Sequence, residues 1–214
     1  MEHVERLRRL APLSGVLAAA LWVLGVVVLE VGGNPAGPES AQELADFYRD
    51  DRTAILLAGL LHVLGGFFFL WFVGVLGAVT RGIDDSLAWI RHAALAGGIA
   101  GAAMMLALTG PQTTGATTDV ELLSPESALV FWRLAHAFFI AAEISFAVFI
   151  SAVSLLALAG VLFPRWLGWS GLVVSLILLV PPVGWVALLL LVPIWLVIAS
   201  VLLYRRSQVI TRRG

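Results

Sequence analysis

Long apolar stretches separated by short polar connections run through almost the whole chain. At about 20 apolar residues per crossing, they predict six membrane spans, at about 11–31, 53–79, 89–110, 127–158, 164–181 and 183–203. The last two form one nearly continuous apolar run, broken by Pro181-Pro182-Val183-Gly184. Proline removes a backbone donor and glycine frees the backbone, so this break predicts a tight hairpin rather than one very long helix. The fifth span is short enough to sit tilted in a thinned bilayer or to be partly re-entrant. The first span has an apolar core too long for a signal-peptide core and no clear small-residue cleavage site after it, which predicts a retained helix. The fold expected is an all-α polytopic membrane helix bundle, one transmembrane domain over residues 1–214.

Charge placement gives this bundle a direction. With the N-terminus inside, Arg6, Arg8, Arg9, Arg81, Arg91, Arg165, Arg205, Arg206, Arg212 and Arg213 are cytoplasmic, and Arg49, Arg52 and Arg133 are outside or in the outer leaflet. The excess of arginine in inner loops predicts that both termini are cytoplasmic.

The outer connections carry helix signals of their own. Ser40-Ala41-Gln42-Glu43 has the capping-box pattern, and Leu44, Phe47 and Tyr48 follow at helical spacing. They predict a short amphipathic helix at about 40–49 on the outer surface. Ser124-Pro125-Glu126 reads as an N-cap, a proline in the first turn and an acid beside it. Gly110 to Thr118, rich in threonine and glycine, is expected to be a loop, either lining a vestibule or simply solvated.

Candidate chemistry lies on the fourth span. At about 100° per residue, Glu126, Arg133, His136, Glu143, Ser151 and Ser154 fall within an arc of about 100°. A charged side chain at the centre of a bilayer costs on the order of 2.5–3.5 kcal/mol by insertion scales, so the stripe is expected to face other helices or a wet cavity. His62 and His136 lie at similar depth on the second and fourth spans, an arrangement that permits axial ligation of a b-type haem. Interhelical hydrogen bonding is the simpler account of the same histidines. Gly59, Gly65 and Gly66 around His62 leave room for a partner helix or a flat cofactor. Arg133 shares a face with His136 and can snorkel outward, pair with Glu126 or Glu30, or bind an anion. Glu143 lies near mid-membrane, roughly 10 Å along the axis from His136. A carboxyl there can carry protons, bind a cationic ligand or bond to a neighbouring helix. The two serines readily bond to their own backbone. Gly97 and Gly101 form a G-x-x-x-G pair suited to close helix packing, within the chain or at a homo-oligomer seam.

Composition narrows the functional classes. The 214 residues are 60% hydrophobic and 13% charged, with a net charge of −1, and the mean hydropathy is +0.99. That much apolar surface implies a lipid bilayer as part of the solvent. No basic tract is long enough to follow a phosphate backbone, which argues against nucleic-acid binding. The chain has no cysteine, hence no disulfide or thiolate metal site. All thirteen basic residues are arginine, which fits a GC-rich bacterial source and a cytoplasmic membrane location. The common hydrolase, metalloprotease, Walker and dinucleotide motifs are missing, and no third strong ligand joins His62, His136 and Glu143 in a metal site.

Several phrases are family-like: Ala45-Asp46-Phe47-Tyr48, Phe69-Leu70-Trp71-Phe72, Pro164-Arg165-Trp166-Leu167-Gly168-Trp169, Pro181-Pro182-Val183-Gly184-Trp185 and Pro193-Ile194-Trp195. Together they resemble a group of six-span actinobacterial membrane proteins similar to the DUF4386 type, most strongly from Pro164 onward. The resemblance implies architecture, through tryptophan interface anchors and proline breaks, and no particular activity. Function is therefore expected from the stripe: a non-enzymatic membrane protein that binds or passes a small molecule or proton through an outward-facing pocket between the second and fourth spans. Glu143 is its protonatable group, His136 and Arg133 form its mouth, and His62 lies opposite. The alternatives are a structural or accessory subunit docking on a membrane partner, and a bis-histidine haem protein using His62 and His136.

Overall fold

Backbone in lipid satisfies its hydrogen bonds within helices, and the described residues are mostly helical. A computed structural model describes residue 7 and residues 9–35 and 40–211. The expected cytoplasmic placement of Arg6, Arg8, Arg212 and Arg213 falls outside these residues. A 3-10 turn, Ala11–Leu13, leads into α1 (Ser14–Val31). Then come α2 (Ala41–Asp50), α3 (Arg52–Val79), α4 (Ala88–Thr117), α5 (Pro125–Leu158), α6 (Arg165–Leu178) and α7 (Pro181–Val186). A π-helical segment, Ala187–Leu191, joins α7 to α8 (Val192–Thr211). No strand occurs among the described residues.

Five stretches are long and apolar enough to cross a membrane: Ala11–Val31, Arg52–Val79, Asp85–Thr117, Pro125–Leu158 and Pro182–Arg206. The sixth, α6, has 14 residues, about 21 Å of helix, against a hydrocarbon core of about 30 Å. It stops where Pro181 and Pro182 interrupt the run. The wide turn of Ala187–Leu191 lies just before Pro193. Proline at that position removes a donor and presses on the preceding turn, and widening the helix relieves the clash.

α4 and α5 form the most extensive interface of the bundle. Gly97, Gly98 and Gly101 let α5 approach closely: a Cβ on Gly97 would lie 2.7 Å from the Phe149 amide nitrogen, and one on Gly101 3.1 Å from the Phe146 ring. The G-x-x-x-G pair is thus occupied within the chain, and a homo-oligomer seam there would have to displace α5. Trp22 of α1, Phe69 of α3 and Phe146 and Phe149 of α5 interlock at centroid distances of 5.1–5.6 Å for Trp22–Phe69, Trp22–Phe146, Phe69–Phe146 and Phe69–Phe149. This aromatic centre ties three helices together, and α1 is an integral part of it.

A second cluster closes the opposite end from the arginine-rich connections. Ser40 caps α2 by accepting the Glu43 amide at 3.1 Å. Leu44, Ala45 and Tyr48 are buried against Ile55, Ala116, Leu123 and Ala128. Arg49 donates to the Leu123 carbonyl at 2.9 Å and pairs with Asp46 at 3.2 Å. The helix is therefore packed beneath α4 and α5 rather than resting on the surface alone.

The composition of Gly110–Thr118 predicts a loop, yet α4 runs through it to Thr117. Each threonine hydroxyl donates back to a carbonyl one turn earlier, Thr113 to Thr109 at 2.7 Å and Thr114 to Gly110 at 2.8 Å, with Thr117 and Thr118 doing the same. The polar groups are absorbed by the helix itself. Gly115 provides the seat for the Tyr48 ring, whose Cε1 would lie 2.7 Å from an added Cβ.

Two stability predictions follow from this packing. Gly97→Ala should lower stability by about 1–3 kcal/mol through overpacking against backbone. Gly110→Ala, with nothing within 4 Å of the new methyl, should raise it by up to about 1 kcal/mol from helix propensity; thermal unfolding in detergent compares the two. Burial pushes the Tyr48 phenol up to about 12 from 10.0. The unfolded chain then loses this proton first, so stability should fall as pH rises from 10 to about 12. Tyr48→Phe should remove that component from denaturation curves measured across the interval.

Candidate functional site

The polar stripe of α5 divides in two. Glu126, Arg133 and His136 are exposed. Glu143 is 5% and Ser154 0% exposed. The division follows from α6 and α7: their hairpin covers the α5 face only as far as Glu143. Beyond it, toward α2, the same face lies open. The expectation that the whole stripe is covered by protein holds only for its buried half.

On the open half, His136 is stacked between residues of its own helix. Its ring lies 5.2 Å from Trp132 at 4° and 6.4 Å from Phe139 at 9°. The spacing of three and four residues on one helix face produces this ladder directly. Arg133 stands beside it.

His62 is placed elsewhere. It is 4% exposed and turned toward α1, where a Cβ on Gly25 would lie 2.7 Å from its Nε2. The Trp22 indole donates to the His62 carbonyl at 3.3 Å, and Nδ1 has no hydrogen-bond partner. The glycines around it are filled: Gly59 faces Thr113, Gly65 faces Trp22 and Gly66 faces Leu106. At this level α3 therefore contacts α1 and α4. It meets α5 one to two turns further in, through Phe69. The structure does not bring His62 together with Arg133, His136 and Glu143, and the pocket expected between the second and fourth spans is not built from these four residues. The two histidines do not flank one space either, since His62 is enclosed by α1 while His136 lies on an open face. Periodicity on α3 shows which residues share a face but not which neighbour that face meets.

Glu143 faces the α6–α7 hairpin. A Cβ on Gly184 would lie 3.1 Å from both Cδ and Oε1 of Glu143, and 2.9 Å from the Leu178 carbonyl oxygen. The lack of a side chain at position 184 thus lets a carboxyl and a main-chain carbonyl pack closely against the same glycine. Among the described residues Glu143 has neither a hydrogen bond nor an ion pair. No group of three or more potential metal ligands occurs among them either. Below Glu143, Ser154 Oγ is also without a partner, in the tight contact with Gly171 and Trp195. Sequence reasoning singled out Glu143 and missed Gly184 and Leu178 as its neighbours. The signal was available in part, because Pro181-Pro182-Val183-Gly184 marks the break.

Two grooves lie away from this site. One, of about 470 Å³, runs between α1 and α3 at the α2 end and includes Val28, Asp50 and Asp51. The other, of about 490 Å³, is an apolar furrow at Phe67, Trp71 and Gly74 on the α3 surface. Neither includes Glu143 or the histidines.

No family model, curated protein or solved structure matches the chain.

The His62 environment is tested by a double-mutant cycle. Gly25→Ala alone should destabilise by about 1–3 kcal/mol. In a His62→Ala background the added methyl should cost less, giving a favourable coupling between the two sites; additive effects would show that ring and glycine do not interact.

Proposed function

We propose that this integral membrane protein binds or passes a small molecule or proton at Glu143, where α5 meets the α6–α7 hairpin. The observation that carries this reading is a carboxyl on a residue only 5% exposed, without a protein partner among the described residues and set within a membrane helix bundle. Structural carboxyls at such depth are normally paired or hydrogen-bonded, and an ionisable residue inside a membrane domain marks a functional site by default. The open upper face of α5, with His136 and Arg133, provides the approach. Compared with the pocket expected between the second and fourth spans, the site moves to the other side of α5, and His62 drops out of it.

The arginine distribution supports an orientation with both termini cytoplasmic, in the cytoplasmic membrane of a bacterium. In that arrangement α6 enters from the cytoplasmic side as a short sixth segment and returns through α7 and α8.

The decisive comparison is wild type against Glu143→Gln in proteoliposomes, following proton uptake and pH-driven flux. Loss of the pH-dependent signal in the variant is the expected result. An unchanged signal would remove Glu143 from the function.

A further inference from the structure

Glu143 sits opposite a carbonyl that its own helix cannot satisfy. At the end of α6, Leu178 O would ordinarily receive the amide of residue 181 or 182, three or four positions on. Both are proline and have no N–H. The neighbouring amides are committed elsewhere: Leu179 to Leu176 O, Val180 to Ile177 O, and Val183 and Gly184 both to Val180 O at 3.0 and 2.8 Å. Leu178 is 2% exposed, so water does not readily take the missing place. A buried carbonyl without a donor costs about 1–3 kcal/mol. It packs against Gly184, as the Glu143 carboxyl does.

Two acceptors packed against one glycine inside a helix bundle are stabilised by a shared positive partner. A hard metal cation collects six or more oxygens, far more than this contact offers. A proton needs one carrier and one acceptor, and both are present.

We propose that Glu143 is a proton-operated latch: as the neutral acid it donates a hydrogen bond to the Leu178 carbonyl and holds the α6–α7 hairpin against α5. On ionisation the donor is lost, the carboxylate and carbonyl repel, and the tip at residues 179–185 moves away, opening the site toward the α2 end. This rests on the reading of Glu143 as the binding group and assigns that group its ligand and its acceptor. Among the described residues no other charge pairs with the carboxyl. The ionisable residues of α6 and α8, namely Arg165, Tyr204, Arg205 and Arg206, lie at the arginine-rich end, as do Arg91 and His92 of α4. α7 has none, and His136 on α5 itself is two turns away. The exposed apolar tip residues Leu179, Val180, Val183 and Trp185 can move through lipid without breaking polar contacts.

The absence of cysteine makes the test direct. A nitroxide is attached at Val183→Cys in the full chain in proteoliposomes, and its collisional access to a water-soluble nickel chelate is followed against pH. Infrared difference spectra against Glu143→Gln report the carboxyl's own titration in parallel. Access should rise as the carboxyl ionises. It should stay low at every pH in Glu143→Gln, whose amide still donates. In Pro182→Ala, which returns an N–H to Leu178 O, the pH response should shrink while the carboxyl still titrates. A titrating carboxyl with unchanged tip access overturns the latch and leaves the binding role of Glu143 standing. A carboxyl that never titrates removes both. A full pH response in Pro182→Ala overturns Leu178 O as the acceptor.

Discussion

The close approach of α4 and α5 is the contact on which the other helix positions depend. Lipid gives helices no hydrophobic reason to associate, so van der Waals packing has to supply it. Gly97, Gly98 and Gly101 bring α4 against the Phe149 backbone and the rings of Phe146 and Phe149. Those rings in turn hold Phe69 and Trp22. Three helices are fixed by one aromatic centre, and the fourth face of α5 is left for the α6–α7 hairpin. Where that hairpin ends is decided by Pro181 and Pro182, and its end decides which part of the polar stripe is buried.

The same economy of small residues recurs at each crossing. Gly25 receives His62, Gly65 receives Trp22, Gly115 receives Tyr48, and Gly171 admits Ser154. Each pairs a glycine on one helix with a ring or hydroxyl on another. In water such glycines weaken helices. In a membrane bundle they determine which side chain can be accommodated, and so which helix is the neighbour. The polar groups follow a related logic: threonines 113, 114, 117 and 118 satisfy themselves on their own helix, whereas Glu143 has no such local partner because its chain is directed at the hairpin.

Elements whose physics is local were legible in the chain. The apolar runs, the Ser40 cap, the Ser124-Pro125 start of α5 and the break at Pro181-Pro182 each depend on a few consecutive residues. Local composition misled at Gly110–Thr118, where glycine and threonine suggest a loop but the hydroxyls fold back onto helical carbonyls and α2 packs against the result. At the candidate site, expected depth and charge singled out Glu143, but the neighbours of each helix were not legible, because equal depth on two helices says nothing about which way each helix is turned.

The sequence by itself thus determined the bundle class, the long apolar helices and the proline break, since hydropathy and proline act along the chain. Only the tertiary structure decided the neighbours. It turned His62 into α1, spent Gly97 and Gly101 on α5, left His136 on an open face, and set Glu143 beside Gly184 and the Leu178 carbonyl. Those outcomes depend on how rings fit against glycines between helices distant in sequence, and a helical pattern specifies a face without specifying what the face meets.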